Sequence, residues 1–203
     1  MPKQLHLGGF QIASQVTHSH AAWRHPGSDT DFTSPEYYHR IGRILERGKF
    51  DFVFFADLLA APAQYGRDIT EPLRRGTQAT ATLDPSIVAA SIGAVTSKLG
   101  VAITKSATFF HPYELARIFA SLDHITRGRV AWNIVTSLTA SEAQNFGQDS
   151  HLDHEFRYER AEEFLRATLE LWSSWDPDAL VVDKHSGVFA DPDKIRRVEH
   201  DGK

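Results

Sequence analysis

LGVAITKSATFFHPYELARIFASLDHITRGRVAWNIV, residues 99–135, carries the pattern that decides the fold. Leu99 to Thr104 is short and rich in β-branched residues, which suits a strand. His111-Pro112 then opens a helix, since proline is tolerated at the first helical position, where the missing N–H would have no partner. Leu115, Ile118, Phe119 and Leu122 recur at helical spacing as its inward stripe, and Gly128 suits the stop. Val130 to Val135 is again apolar and strand-like. Strand, helix and strand in this order predict parallel strands joined by a right-handed crossover.

The same alternation extends both ways. Leu5 to Phe10 is a short apolar stretch with glycines, followed by a polar, His-rich connection over 11–33. Ser34-Pro35 opens a helix with Tyr38, Ile41 and Leu45 on one face and Gly48 at its end. Phe52 to Ala56 is continuously apolar, the pattern of a strand covered on both faces. After a long connection over 57–83, Asp84-Pro85 opens a helix carrying Val88, Ile92 and Val95. A last helix is expected from Tyr158 to about Trp175, with Ala161, Phe164, Leu165, Leu169 and Trp172 in one stripe. A doubly wound nucleotide fold would show Gly-x-Gly-x-x-Gly after its first strand; neither that motif nor a Walker-type Gly-Lys-Ser/Thr occurs. The expected fold class is therefore α/β, the N-terminal part of a (β/α)8 TIM barrel. Four units fill 1–175, so the barrel is expected to be incomplete and the chain part of a larger protein. Residues 176–203 carry turn signals at His185-Ser186-Gly187, Asp191-Pro192-Asp193 and Asp201-Gly202, and read as hairpin material.

Composition narrows the class. The 203 residues include 22 basic and 26 acidic side chains, a net charge of −4, so nothing recommends nucleic acid as a partner. Cysteine is absent, which removes disulfide scaffolds and thiolate metal sites and fits a reducing compartment. The first ten residues hold no signal-peptide apolar core, and Asp57 interrupts the longest apolar run, Phe52 to Ala63, so no membrane association is expected. A cytoplasmic protein is the expectation.

In parallel α/β folds ligand groups collect where strands end. Those ends carry Asp57; Thr104, Ser106 and Thr108; and Asn133, Thr136 and Ser137. Neutral hydrogen-bonding groups with one carboxylate suit a flat polar cofactor that brings its own reactivity, although the same residues also cap strands and helices. No Gly-x-Ser-x-Gly elbow supports a serine nucleophile. His18 and His20, after the first strand, are candidate proton donors set against the plainer reading of a solvated loop. Asp149, His151, Asp153, His154 and Glu155 have spacings a metal accepts, yet a solvated loop before a helix is the default and no metal is expected. Solvated faces are likewise the default for Arg127, Arg129, Arg157 and Arg160, and a helix start for His111. Trp23, Trp132, Trp172 and Trp175 read as core or interface, and Phe109-Phe110 as core or pocket lining.

Phe-Phe-Ala-Asp at 54–57, His-Pro-Tyr-Glu-Leu-Ala-Arg at 111–117, Ala-Ser-Leu-Asp-His-Ile-Thr-Arg-Gly-Arg at 120–129, Ala-Trp-Asn-Ile-Val-Thr-Ser at 131–137 and Arg-Tyr-Glu-Arg-Ala-Glu-Glu-Phe at 157–164 resemble the bacterial-luciferase superfamily. Within it they are similar to the group of nitrilotriacetate, dibenzothiophene-sulfone and pristinamycin-synthase oxygenases. The resemblance implies a flavin-dependent monooxygenase that uses reduced FMN and O2, through a flavin peroxide, to oxygenate a small organic substrate. A separate NAD(P)H-dependent flavin reductase would supply the reduced flavin, and a homo-oligomer is expected. Carried onto this sequence, Asp57 would lie beside the ring, Thr104 and Ser106 would line it, Asn133 and Ser137 would bond its polar edge, and Tyr158 would reach the phosphate. The tail at 176–203 would be the family's insertion before strand five. The rival expectations are a deazaflavin-dependent hydride-transferring oxidoreductase of the same superfamily, and a non-catalytic half-barrel paired through its open strand edges.

Overall fold

Parallel strands need crossovers, and the helices that make them start where the sequence supplies a cap and a proline. The computed structural model describes residues 4–16, 20–63 and 68–202. Strands β1 (Gly8–Ile12), β2 (Phe52–Ala56), β3 (Gly100–Ser106) and β4 (Val130–Val135) form one parallel sheet in sequence order. Between them run α1 (Pro35–Arg47), then α2 (Thr70–Arg75) with α3 (Pro85–Val95), then α4 (Pro112–Thr126). After β4 come α5 (Ala140–Asn145) and α6 (His154–Trp172). This is the strand–helix alternation of a (β/α)8 barrel, here in four parallel strands. A separate antiparallel pair, β5 (Leu180–Asp183) and β6 (Val188–Ala190), follows.

The caps are those that the dipeptides foretell. Ser34 accepts from the Tyr37 N–H, Asp84 from Ser86 and His111 from Tyr113, each with proline next in the chain. His111 is thus a helix-start residue, as its position before Pro112 suggests. Alternation along the strands then sends Val53, Phe55, Val101 and Ile103, none of them exposed, into the helix layer against Ile92, Leu115 and Phe119. Each such side chain contributes roughly 1.5–3 kcal/mol by burial, so this face fixes where the helices lie.

Several boundaries move. The first strand was expected over 5–10 but runs Gly8–Ile12. Its pairing is set by β2, whose apolar run begins at Phe52 opposite Gly8, while Leu7 is held beforehand by the Asp51 carboxylate at 2.7 Å. Helix α6 starts before Tyr158 because Asp153 accepts from the Glu155 N–H at 3.0 Å, and it ends at Trp172. The long connection contains α2, which stops at Gly76 in the left-handed region (φ +60). A Cβ there would stand 2.6 Å from Trp23 Nε1, which donates to the Arg75 carbonyl, so Trp23 packs over a position that only glycine leaves open.

Arg129 is not on a solvated face. Its guanidinium donates to the carbonyls of Leu99 (2.6 Å), Thr126 (2.7 Å), Thr96 (3.0 Å) and Gly93 (3.1 Å), and to Thr96 Oγ1 (3.1 Å). It therefore ties the end of α3, the start of β3 and the end of α4 into one knot. Arg129→Ala, which strands several of these carbonyls, is expected to cost about 3 kcal/mol. Arg127→Ala, at an exposed helix end, should change stability by less than about 0.5 kcal/mol. Urea denaturation of both variants checks this; equal losses would contradict it.

Candidate active site

The carboxyl ends of the strands lie on one side of the sheet, and two hydroxyl-bearing pairs meet there. Thr104 and Asn133 are partners in the β3–β4 register, and the Asn133 amide donates to Thr104 Oγ1 at 3.0 Å. Beyond them the Ser137 hydroxyl donates to Ser106 Oγ at 2.9 Å. Thr104, Ser106 and Ser137 are buried. By alternation Thr104 and Asn133 turn to the face opposite the helix-packed Val101 and Ile103.

The loops are held to one another. Ser106 Oγ accepts from the Thr108 N–H at 3.1 Å, and the Thr108 hydroxyl donates to the Thr136 carbonyl at 2.8 Å. Ser137 takes a left-handed conformation (φ 60), which costs a non-glycine residue about 1–2 kcal/mol. Arg157, buried rather than on a solvated face, offsets that cost: its guanidinium donates to the Thr136 and Ser137 carbonyls. The carboxylate of Glu142 accepts from the backbone N–H groups of Leu138 and Thr139 (3.0 Å each) and Leu59 (3.3 Å). Burial alone would raise its pKa, but these bonds hold it below the usual value. Asn145 adds a bond to the Leu59 carbonyl at 2.7 Å, so α5 clasps the loop after β2 to the loop after β4. Helix α5 was not foreseen, although Thr139-Ala-Ser-Glu142 is a capping box legible in the sequence.

Asp57 borders a cavity of about 350 Å³, lined also by Leu59, Thr80, Thr82, Asp84 and Asn145. Burial pushes its carboxyl up to about 6; Lys105 pulls against that, and Asp84 and Glu142 add to it. Lys105 itself is 2% exposed and pairs with Asp84 at 2.6 Å. It escaped the sequence reading, although a lysine two residues past Ile103 on the buried face was there to be noticed.

The other expected residues among those described do not join this group. His18 lies outside the described residues, and His20 is exposed in a turn. Tyr158, exposed, has its ring 4.8 Å from that of His154 and lines a separate depression of about 690 Å³ with Ile134 and Thr136. Asp149, Asp153, His154 and Glu155 are exposed, whereas His151 is tucked in. Both its ring nitrogens are buried without a hydrogen-bond partner, and its ring stands 5.4 Å from Phe109, itself stacked on Phe146. Burial and Arg157 lower its pKa. Among the described residues no group of three or more His, Cys, Asp or Glu side chains could hold a metal ion, and no helix is long and apolar enough to cross a membrane.

The fold and this edge are those of part of a luciferase-like barrel. Residues 12–203 match the luciferase-like monooxygenase family, and the chain belongs to it. It is 51% identical over 201 residues to dibenzothiophene-sulfone monooxygenase of Rhodococcus erythropolis (strain XP), covering 99% of this chain and 44% of that protein. It is 40% identical to nitrilotriacetate monooxygenase component A of Aminobacter aminovorans, covering 99% and 45%. The crystal structure of a long-chain alkane monooxygenase superposes with a TM-score of 0.95 at 35% identity, covering 100% and 47%. That of a riboflavin lyase with modified FMN and riboflavin gives 0.91 at 39%, covering 98% and 45%. The chain thus spans somewhat under half the length of these relatives.

A raised carboxyl binds its proton more tightly in the folded than in the unfolded chain. Asp57 therefore lowers stability as pH rises from about 4 to about 6, and the loss persists above that. Asp57→Asn should stabilise the protein by about 2–3 kcal/mol at pH 8 and by almost nothing at pH 4. Thermal unfolding across that range tests this; a variant less stable than the parent at pH 8 would contradict it.

Proposed function

We propose that the edge formed by Thr104, Ser106, Asn133 and Ser137 holds the polar rim of reduced FMN in a monooxygenase acting on a small organic substrate. The observation that carries this reading is the meeting of two neutral hydrogen-bonding pairs, Thr104–Asn133 and Ser106–Ser137, at the carboxyl ends of β3 and β4. An amide and hydroxyls offer both donors and acceptors, which is what the carbonyl and imide rim of the ring requires. Reduced FMN, when bound, supplies the electrons and the site at which O2 is activated.

The chain's own residues then have separable tasks. Asn133 and Thr104 orient the ring, while Arg157 and Glu142 keep the surrounding loops in place so that little water enters. Asp57, whose carboxyl is pushed up to about 6, is the proton-handling group beside the ring. It takes the role that the sequence suggested for His20, which is exposed. Tyr158 is the phosphate contact: it shares its depression with Thr136, at the end of β4, and with His154, in the first turn of α6. The name "component A" of one relative supports delivery of the reduced flavin by a separate NAD(P)H-dependent reductase. The hairpin β5–β6 is read as an insertion ahead of a fifth barrel strand.

Asn133→Ala should weaken reduced-FMN binding by about five- to 150-fold, the value of one neutral hydrogen bond lost from a dry site (about 1–3 kcal/mol). Asp149→Ala, on the exposed loop, should change it by less than about 0.5 kcal/mol. Anaerobic titration of reduced FMN measures both. Equal weakening by the two variants, or a stoichiometric divalent ion whose loss abolishes activity, would overturn the flavin reading.

A further inference from the structure

We propose that Lys105 is a positioning residue for Asp57: clamped between Asp84 and the ring of Phe110, its buried ammonium is the counter-charge that lets the Asp57 carboxyl change its protonation state inside the cavity it borders. The proposal rests on the reading of Asp57 as the proton-handling group at the flavin edge.

The placement follows from the sheet. The last paired positions of β2 and β3 are Phe55 and Ile103. Two residues further along each chain stand Asp57, just past the end of β2, and Lys105, so the register sets them side by side at the carboxyl ends of the two strands. Helix α3 begins at the cavity that Asp57 borders, with Asp84 as its cap, and Asp84 Oδ2 receives the Lys105 ammonium at 2.6 Å. The Phe110 ring lies 5.1 Å from the same nitrogen. A lysine 2% exposed stays charged only where partners of this kind replace water.

The charges around Asp57 do not balance, and that imbalance assigns the roles. Among the described residues, the charged groups that act on it are Lys105 from β3, Asp84 from the start of α3 and Glu142 from α5. One cation thus faces three carboxyls. Asp84 has Lys105 together with the N–H and hydroxyl of Ser86. Glu142 has three backbone N–H groups and the Thr139 hydroxyl. Both are held below their usual pKa although burial opposes it. Asp57 has the N–H of Leu58 and a share of the Lys105 field, too little to fix its charge and enough to keep the proton exchangeable. Without Lys105 the carboxyl would keep its proton to higher pH, and without Asp84 it would lose it at lower pH.

The two neighbours must therefore act in opposite directions. Side-chain carboxyl NMR of the flavin-free protein, with 13C-labelled aspartate, follows Asp57 through pH 4–9 in the parent, Lys105→Met, Lys105→Arg and Asp84→Asn proteins. The parent midpoint should lie near 6. Lys105→Met should raise it by about one unit or more, and Lys105→Arg should bring it back to within about half a unit of the parent. Asp84→Asn, which keeps a capping side chain while releasing Lys105, should lower it. A folded Lys105→Met protein with an unmoved midpoint overturns the proposal, as does a rise in Asp84→Asn. Should Lys105→Met fail to fold, the sign in Asp84→Asn decides alone. No flavin enters this titration, so its failure is distinct from a failure of the Asn133→Ala binding test.

Discussion

The parallel register of β3 against β4 is the constraint on which the rest depends. Val101 to Ser106 pair one to one with Val130 to Val135, which places Thr104 opposite Asn133 and leads both strands into loops that begin with Ala107 and Thr136. A slip of β3 by one residue would send Thr104 into the helix layer, away from Asn133, and bring Ile103 out of it. Burial of Val101, Ile103 and Leu115 forbids that slip, so the same apolar packing that stabilises the fold also aims the polar edge.

Around that edge the chain spends buried charge to hold irregular backbone. Arg157 fixes the left-handed turn at Ser137, Glu142 gathers three backbone N–H groups from two loops, and Arg129 does the corresponding work at the opposite end of the sheet. All three bond to backbone partners, the arrangement that makes a buried ion tolerable, although Arg157 Nε is left without one. Asp57 is a half-buried carboxyl left with fewer donors than Glu142. A fold that keeps an acid in this state beside a cavity has placed its instability where a ligand would sit.

Much of this was legible in the sequence, for identifiable reasons. Ser34-Pro35, Asp84-Pro85 and His111-Pro112 are strong local signals, and each starts a helix where it stands. The neutral lining at 104, 106, 133 and 137 followed from strand ends alone. Lys105 was hidden because a charged residue inside an apolar strand reads as its end, and its partner Asp84 lies 21 residues away in the chain. Arg129 and Arg157 looked solvated because their partners are carbonyls, which no side-chain pattern reveals. Helix α2 has no side-chain cap and only six residues, so hydrophobic period had little to act on.

A flavin ring is proposed to meet the protein at the Thr104–Asn133 and Ser106–Ser137 edge, with Asp57 nearby. The most direct measurement is a crystal structure of the protein with FMN bound. The account predicts the polar rim of the ring within hydrogen-bond distance of the Asn133 amide and the Thr104 hydroxyl, with the Asp57 carboxyl beside it. A ring bound elsewhere, with Asn133 and Thr104 still bonded only to each other, would contradict it.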